Sequence, residues 1–172
     1  MVGMLRKAAA LAVATAVLLL AAAPALARGV SHTMIPYRSL GGVQLKWTPS
    51  QVKRRLGRPD AVFHEQGRIS GYEYDAAELQ VNFDVEQKQD RAFLIGVTGG
   101  PYHTIKGIRI GTSEKTLKRK LRGYQHFSCT KNVGCTISKS ADIAEPGTST
   151  TSFGVSRGKV QGFSIGYTFS TG

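Results

Sequence analysis

A segment of this chain recurs, without a gap, 65 positions further on. Residues 42–56 read G-V-Q-L-K-W-T-P-S-Q-V-K-R-R-L, and residues 107–121 read G-I-R-I-G-T-S-E-K-T-L-K-R-K-L. The pairs Gly42/Gly107, Val43/Ile108, Leu45/Ile110, Thr48/Ser113, Val52/Leu117, Lys53/Lys118, Arg54/Arg119 and Leu56/Leu121 all keep that offset. A recurrence with this period marks two copies of one supersecondary unit, which restricts the fold more than composition does.

Each copy opens with a short alternating stretch, Val43/Leu45 or Ile108/Ile110, consistent with an extended segment that buries one face. A helix follows. In the first copy Thr48 is placed as the N-cap, Pro49 at the first helical position and Gln51 to complete a capping box, with Trp47 and Val52 spaced for a hydrophobic staple. Val52 and Leu56 share a face, and Gly57 with Pro59 ends the helix. In the second copy Ser113 caps, Leu117 and Leu121 form the stripe, and Gly123 stops it. Helices of two turns do not hold alone in water, so each needs a surface to lie on. That surface is supplied by segments rich in β-branched and aromatic residues: 61–65, 69–75, 78–84 and 91–98 in the first copy, and 124–129, 135–138, 150–156 and 159–167 in the second. Phe83-Asp84-Val85 corresponds to Phe153-Gly154-Val155, and Ile95-Gly96-Val97 to Ile165-Gly166-Tyr167. The expectation is an α+β protein of two tandem repeats, each a short N-terminal helix packed on a four-stranded antiparallel meander. The first repeat spans 41–100 and the second 101–172, with residues 140–149 as a long, mobile loop that the first lacks.

Residues 1–27 read as an export signal. Arg6 and Lys7 give a positive start, Ala8 to Ala23 is uncharged and apolar, and Ala25-Leu26-Ala27 is an A-x-A cleavage pattern. The apolar run falls short of the 20 or so residues that span a bilayer. The mature chain is expected to begin near Arg28, with residues 28–40 a flexible lead-in, and to be secreted or held in the cell envelope. Export puts Cys129 and Cys135, the two cysteines, in an oxidising compartment; with Asn132-Val133-Gly134 as a turn between them they are expected to form a disulfide across a hairpin.

Charge is unevenly shared. Between Val43 and Thr98 eight basic residues balance eight acidic ones, whereas between Ile105 and Phe169 eleven basic residues face only Glu114, Asp142 and Glu145. Almost all of the excess in the mature chain therefore sits in the second repeat, which suggests an anionic partner or a solubilising surface. The clusters Lys53-Arg54-Arg55-Arg58 and Lys115, Lys118, Arg119, Lys120 and Arg122 occupy equivalent helix positions. Cations there also suit the negative end of the helix dipole. Their other reading is contact with an anionic polymer or lipid headgroups, sensitive to salt. Nucleic acid is disfavoured by export and by the lack of aromatic stacking residues in the helices.

Catalytic patterns are weak. Gly162-Phe163-Ser164-Ile165-Gly166 matches G-x-S-x-G by letter, but that chemistry needs a strand-to-helix turn with an acid and a histidine downstream, and residues 167–172 contain neither. His32, His64, His103 and His126 are scattered without metal-ligand spacing, so no metal or cofactor is expected. Glu73, Asp75 and Glu78 fall close together; Glu73 and Asp75 would share one face of a strand, as an acid/base pair or, more simply, a solvated edge.

The stretch G-V-x-L-x-x-T-x-x-x-V-x-x-x-L-G-x-P-D from Gly42 to Asp60, followed by an aromatic strand, resembles the small bacterial envelope modules of the BamE (SmpA/OmlA) type. Two such units in tandem on an exported chain are similar in architecture to the β-lactamase inhibitory proteins. The resemblance extends from Gly41 to about Phe169. Trp47 stands where the module has a small residue, and the lipid-acceptor cysteine of the assembly lipoproteins is absent. The resemblance implies a non-enzymatic, inhibitor-like module that recognises another envelope or extracellular protein through its sheet face or hairpin loops, with Asp75 near a hairpin tip as a candidate contact. The alternative is a binder of anionic envelope polymer or headgroups through Lys115, Lys118, Arg119, Lys120 and Arg122.

Overall fold

A computed structural model describes residues 30–86 and 89–168, so the expected export signal lies outside the described residues. The elements are β1 (Thr33–Met34), β2 (Ser39–Leu40), β3 (Val43–Gln44), α1 (Pro49–Leu56), β4 (Ala61–Glu65), β5 (Arg68–Tyr74), a 3₁₀ turn (Asp75–Ala77), β6 (Leu79–Phe83), β7 (Ala92–Val97), β8 (His103–Thr104), α2 (Glu114–Leu121), β9 (Phe127–Thr130), β10 (Gly134–Ser138), β11 (Ser149–Ser156) and β12 (Lys159–Tyr167).

The two helices form for the reasons their sequences state. The Thr48 hydroxyl accepts from the Gln51 amide, the Gln51 side chain accepts from the Thr48 amide at 2.8 Å, and Pro49 opens α1. Gly57, at φ 90°, turns the chain out while its amide caps the Lys53 carbonyl. Ser113 accepts from the Thr116 amide at the start of α2. Val52 with Leu56, and Leu117 with Leu121, are fully or almost fully buried. The recurrence extends to the backbone. Before α1, Lys46 N–H donates to the Ala92 carbonyl and Ala92 N–H to that of Trp47; before α2, Gly111 and Val160, and Val160 and Thr112, repeat both bonds. Lys46 (φ 69°) and Gly111 (φ 84°) take the same left-handed turn to make them.

The expected α+β class, two separate helix-on-meander repeats, is overturned by the strand pairing. Eight strands form one continuous sheet in the order β4-β5-β6-β7-β12-β11-β10-β9, antiparallel throughout. Among the described residues the α-helices are only two, of eight residues each, and the protein is mostly β. The physical reason is the fate of the inner edges. Two isolated meanders each leave a terminal strand with unpaired backbone groups, and β7 and β12 remove both edges by pairing with each other. Ile95 lies directly opposite Ile165, with Leu94 opposite Gly166 and Gly96 opposite Ser164. Ile95 and Ile165 are equivalent positions of the two copies, so the join is a local two-fold axis through this pair.

One face of this sheet carries the core. Tyr72, Val81, Ile95, Ile165, Thr151 and Ile137 stand in a single row across six strands, all buried, and the helices pack on the same side. The stretch expected as a flexible lead-in helps to close it. From residue 30 on, β1 pairs in parallel with β8, Met34 and Leu40 are fully buried, and Tyr37 N–H donates to the Thr151 hydroxyl at 2.9 Å. The 140–149 loop, expected to be mobile, is fastened to the end of β12: Gly147 N–H donates to the Thr168 carbonyl, Thr168 N–H to that of Thr148, and the Thr168 hydroxyl to that of Ile143. Cys129 and Cys135, directly opposed on β9 and β10, form the disulfide.

Because one core serves both copies, unfolding is expected to be a single transition. Fluorescence of Trp47, the lone tryptophan and a residue of the first copy, and far-UV circular dichroism should give coincident urea curves. Ile95→Ala should lower stability by about 3 kcal/mol in both signals together; separate midpoints would contradict the shared core. Reduction of Cys129–Cys135 should lower the urea midpoint by an amount worth about 2 kcal/mol, the chain-entropy value for so short a loop.

Candidate functional site

The face of the sheet opposite the helices is open. Strand alternation puts Glu73, Gln80, Gly96, Ser164, Ser152, Thr136 and Ser128 in one row across seven strands, with the buried row beside it pointing the other way. In the second copy the open positions are almost wholly small: Ser128 and Thr130 on β9, Thr136 on β10, Thr150, Ser152, Gly154 and Ser156 on β11, and Gly162, Ser164 and Gly166 on β12. Thr136 and Ser152 join hydroxyls across the strands at 3.2 Å. This i, i+2 run of serine, threonine and glycine was the signal in the sequence that could have located the face.

A concavity of about 740 Å³ lies over the β7–β12 join. Gly96, Ser152, Gly154, Gly162 and Ser164 floor it; Glu73, Asp75 and Glu78 stand at one end. The glycines differ in cause. At Gly162 a Cβ would sit 2.5 Å from the Val97 carbonyl oxygen, so strand packing requires glycine there. At Gly96 the nearest atom to such a Cβ is that of Ser164 at 3.7 Å, an ordinary contact, and φ lies outside the left-handed region. Packing therefore does not require Gly96 to be glycine, although glycine within a strand destabilises it by roughly 0.5–1 kcal/mol relative to alanine. Such a position commonly marks the close approach of something else. Beside the concavity, Phe63, 43% exposed, shares a second hollow of about 260 Å³ with Gln80, Asn82 and Phe93.

The acidic end is built from the β5–β6 connection. Asp75 is not on a strand facing the same way as Glu73, since β5 ends at Tyr74 and Asp75 opens the 3₁₀ turn, where its amide donates to Asp60 at 2.8 Å. It does sit at the hairpin tip. Glu78, at φ 47°, lays its carboxylate over Gly99, where any side chain would collide with it. Behind it, buried Tyr102 donates its hydroxyl to the Ala77 carbonyl at 2.7 Å. Burial, and then the Glu78 charge, push the Tyr102 phenol up to about 12. Burial does the same to Tyr74, with Tyr72 and Asp60 adding to it.

The basic candidates are elsewhere. Lys115, Lys118, Arg119, Lys120 and Arg122 belong to α2 and its C-cap, on the helix side of the sheet, and do not meet Asp75. Lys118 is bound to Glu114 at 2.6 Å, and the Lys120 ammonium donates to the carbonyls of Lys106 and Gly107; Lys115, Arg119 and Arg122 are exposed. Gly162-Phe163-Ser164-Ile165-Gly166 runs inside β12, with Phe163 and Ile165 in the core. The histidines are dispersed: His32 packs edge-on against Tyr102, His64 lies on β4, His103 is near Thr33 and His126 lies in the turn before β9.

Tyrosines whose phenols are raised in the folded state hold their protons while those of the unfolded chain ionise. Their contribution is whole below pH 10 and lost as pH climbs from 10 toward 12. Thermal melts should therefore fall over that window, and Tyr102→Phe should flatten part of the fall while lowering stability at pH 7 by about 1 kcal/mol for the lost hydrogen bond. Compared with known protein families, curated proteins and solved structures, the chain matches none.

Proposed function

We propose that this chain is a non-enzymatic recognition protein of the cell envelope or extracellular space, and that it engages a protein partner with the open face of its sheet. The observation that carries the reading is the glycine at position 96. The centre of the face is kept free of a side chain that the packing would accept, directly beneath the 740 Å³ concavity. A floor of serine, threonine and glycine loses little side-chain freedom when covered, so a partner can approach the backbone at low entropic cost. Glu73, Asp75 and Glu78 at one end suit a lysine or arginine of that partner, and Phe63 beside the hollow supplies the kind of aromatic anchor on which interfaces concentrate their energy. The export signal expected in residues 1–27 places such a partner outside the cytoplasm.

Affinity capture from envelope extracts, at low and high salt, tests the reading with three proteins: the wild type, Gly96→Arg, and Asp75→Asn combined with Glu73→Gln. The wild type should retain one defined protein at high salt. Gly96→Arg should lose it, with a Tm within about 2 °C of the wild type, the range expected of a change that leaves the core alone. The acid-neutralised protein should bind that partner at least tenfold more weakly. Equal capture by Gly96→Arg and the wild type would remove the open face from consideration.

A further inference from the structure

The helix side carries a second surface, independent of the open face. The turn at 104–107 and the end of α2 are stapled to each other in both directions: Lys120 Nζ donates to the Lys106 and Gly107 carbonyls at 2.7 and 3.0 Å, and Lys106 Nζ donates to the Lys120 carbonyl at 3.3 Å while lying 4.0 Å over the Tyr124 ring. The result is a fixed platform. From it Ile105 stands out 66% exposed, one of the most exposed large apolar side chains among the described residues. The same link joins its turn, through Lys106 and Lys120, to α2, which with its C-cap carries the exposed Lys115, Arg119 and Arg122. The acidic residue of the helix, Glu114, is already engaged by Lys118.

The helix dipole explains cations in the last turn of α2. It does not explain an isoleucine held in water on the adjoining turn. A soluble polyanion has no use for that side chain either. A bilayer surface uses both, since cations meet lipid phosphates and an apolar side chain enters the boundary of the acyl region. The geometry points to a docking patch for an anionic lipid bilayer, formed by Ile105 together with Lys106, Lys115, Arg119, Lys120 and Arg122. Its back-to-front arrangement leaves the open sheet face turned away from the membrane.

Sedimentation of the exported chain with vesicles of phosphatidylcholine and phosphatidylglycerol tests the patch. Vesicles of phosphatidylcholine alone control for apolar binding by other parts of the chain. Binding to the mixed vesicles should exceed binding to the neutral ones at least tenfold and should fall with salt. Neutralising Lys115, Arg119 and Arg122 to glutamine should weaken it roughly a hundredfold, at about fivefold per cation. Ile105→Ser leaves the charge unchanged; it should weaken vesicle binding several-fold and leave binding to inorganic polyphosphate as it was. All four substituted residues are exposed, and circular dichroism verifies that the variants fold. If Ile105→Ser binds mixed vesicles like the wild type, the patch is a polyanion site and the bilayer proposal fails. It fails equally if mixed and neutral vesicles bind alike.

Discussion

The pairing of β7 with β12 is the contact on which the rest of the molecule rests. Each meander taken alone is four strands with a helix on one face and a bare inner edge, and a unit of that size is marginal by itself. Joining the inner edges pairs the backbone groups of both and sets Ile95 against Ile165 within one core shared by the two copies. The two-fold relation follows from the recurrence itself, because identical edges meet most simply in antiparallel register about their equivalent residue. One consequence is functional. A single sheet has a single helix-covered side, and everything on the other side becomes one uninterrupted surface.

That surface is made of residues whose exposure asks little and supports little. Serine, threonine and glycine at alternate positions of β9 to β12 give weak cross-strand packing, and the glycines loosen the strands they occupy. The compensation lies beneath, in two aromatic pairs, Tyr72 with Phe83 and Phe153 with Phe163, whose rings meet edge to face at 5.1 and 5.9 Å. The lead-in adds to it, since Met34 and Leu40 close the end of the core and Tyr37 bonds across to Thr151 of the second copy. A well-packed underside is what allows the top to be kept bare.

Much of the local structure was legible in the chain. The caps at Thr48 and Ser113, the buried pairs Val52/Leu56 and Leu117/Leu121, the stop at Gly57 and the Cys129–Cys135 hairpin all depend on neighbours within a few residues, and local rules reach them. The class was not legible. Nothing within the 92–97 or 159–167 segments distinguishes a strand that ends a sheet from one that joins another, and that choice turned two expected units into one. Asp75 was placed rightly at a hairpin tip but wrongly on a strand, because Glu78 adopts a left-handed turn that no sequence rule asks of a glutamate. The burial within the lead-in escaped for the converse reason: two-residue strands carry no periodicity, yet Met34 and Leu40 on them are completely buried.

The separation of charge gives the two faces a relation that neither has alone. The chain carries a formal net charge of +12, yet the carboxylates Glu73, Asp75 and Glu78 gather at the open concavity while the α2 cations lie behind the sheet. A uniformly basic protein on an anionic surface lies in any orientation that brings cations down. On the proposed bilayer the acidic end would be repelled by the surface that attracts the other side, and the field falls off over about 8 Å at physiological salt. The attraction would therefore act mainly on the α2 side, and the carboxylates would feel a weakened repulsion. They would remain available to a basic group on the proposed protein partner, whose own attraction to them would be short-ranged and thus selective. Orientation and recognition then follow from one feature of the chain, the drift in charge between two copies that share a fold.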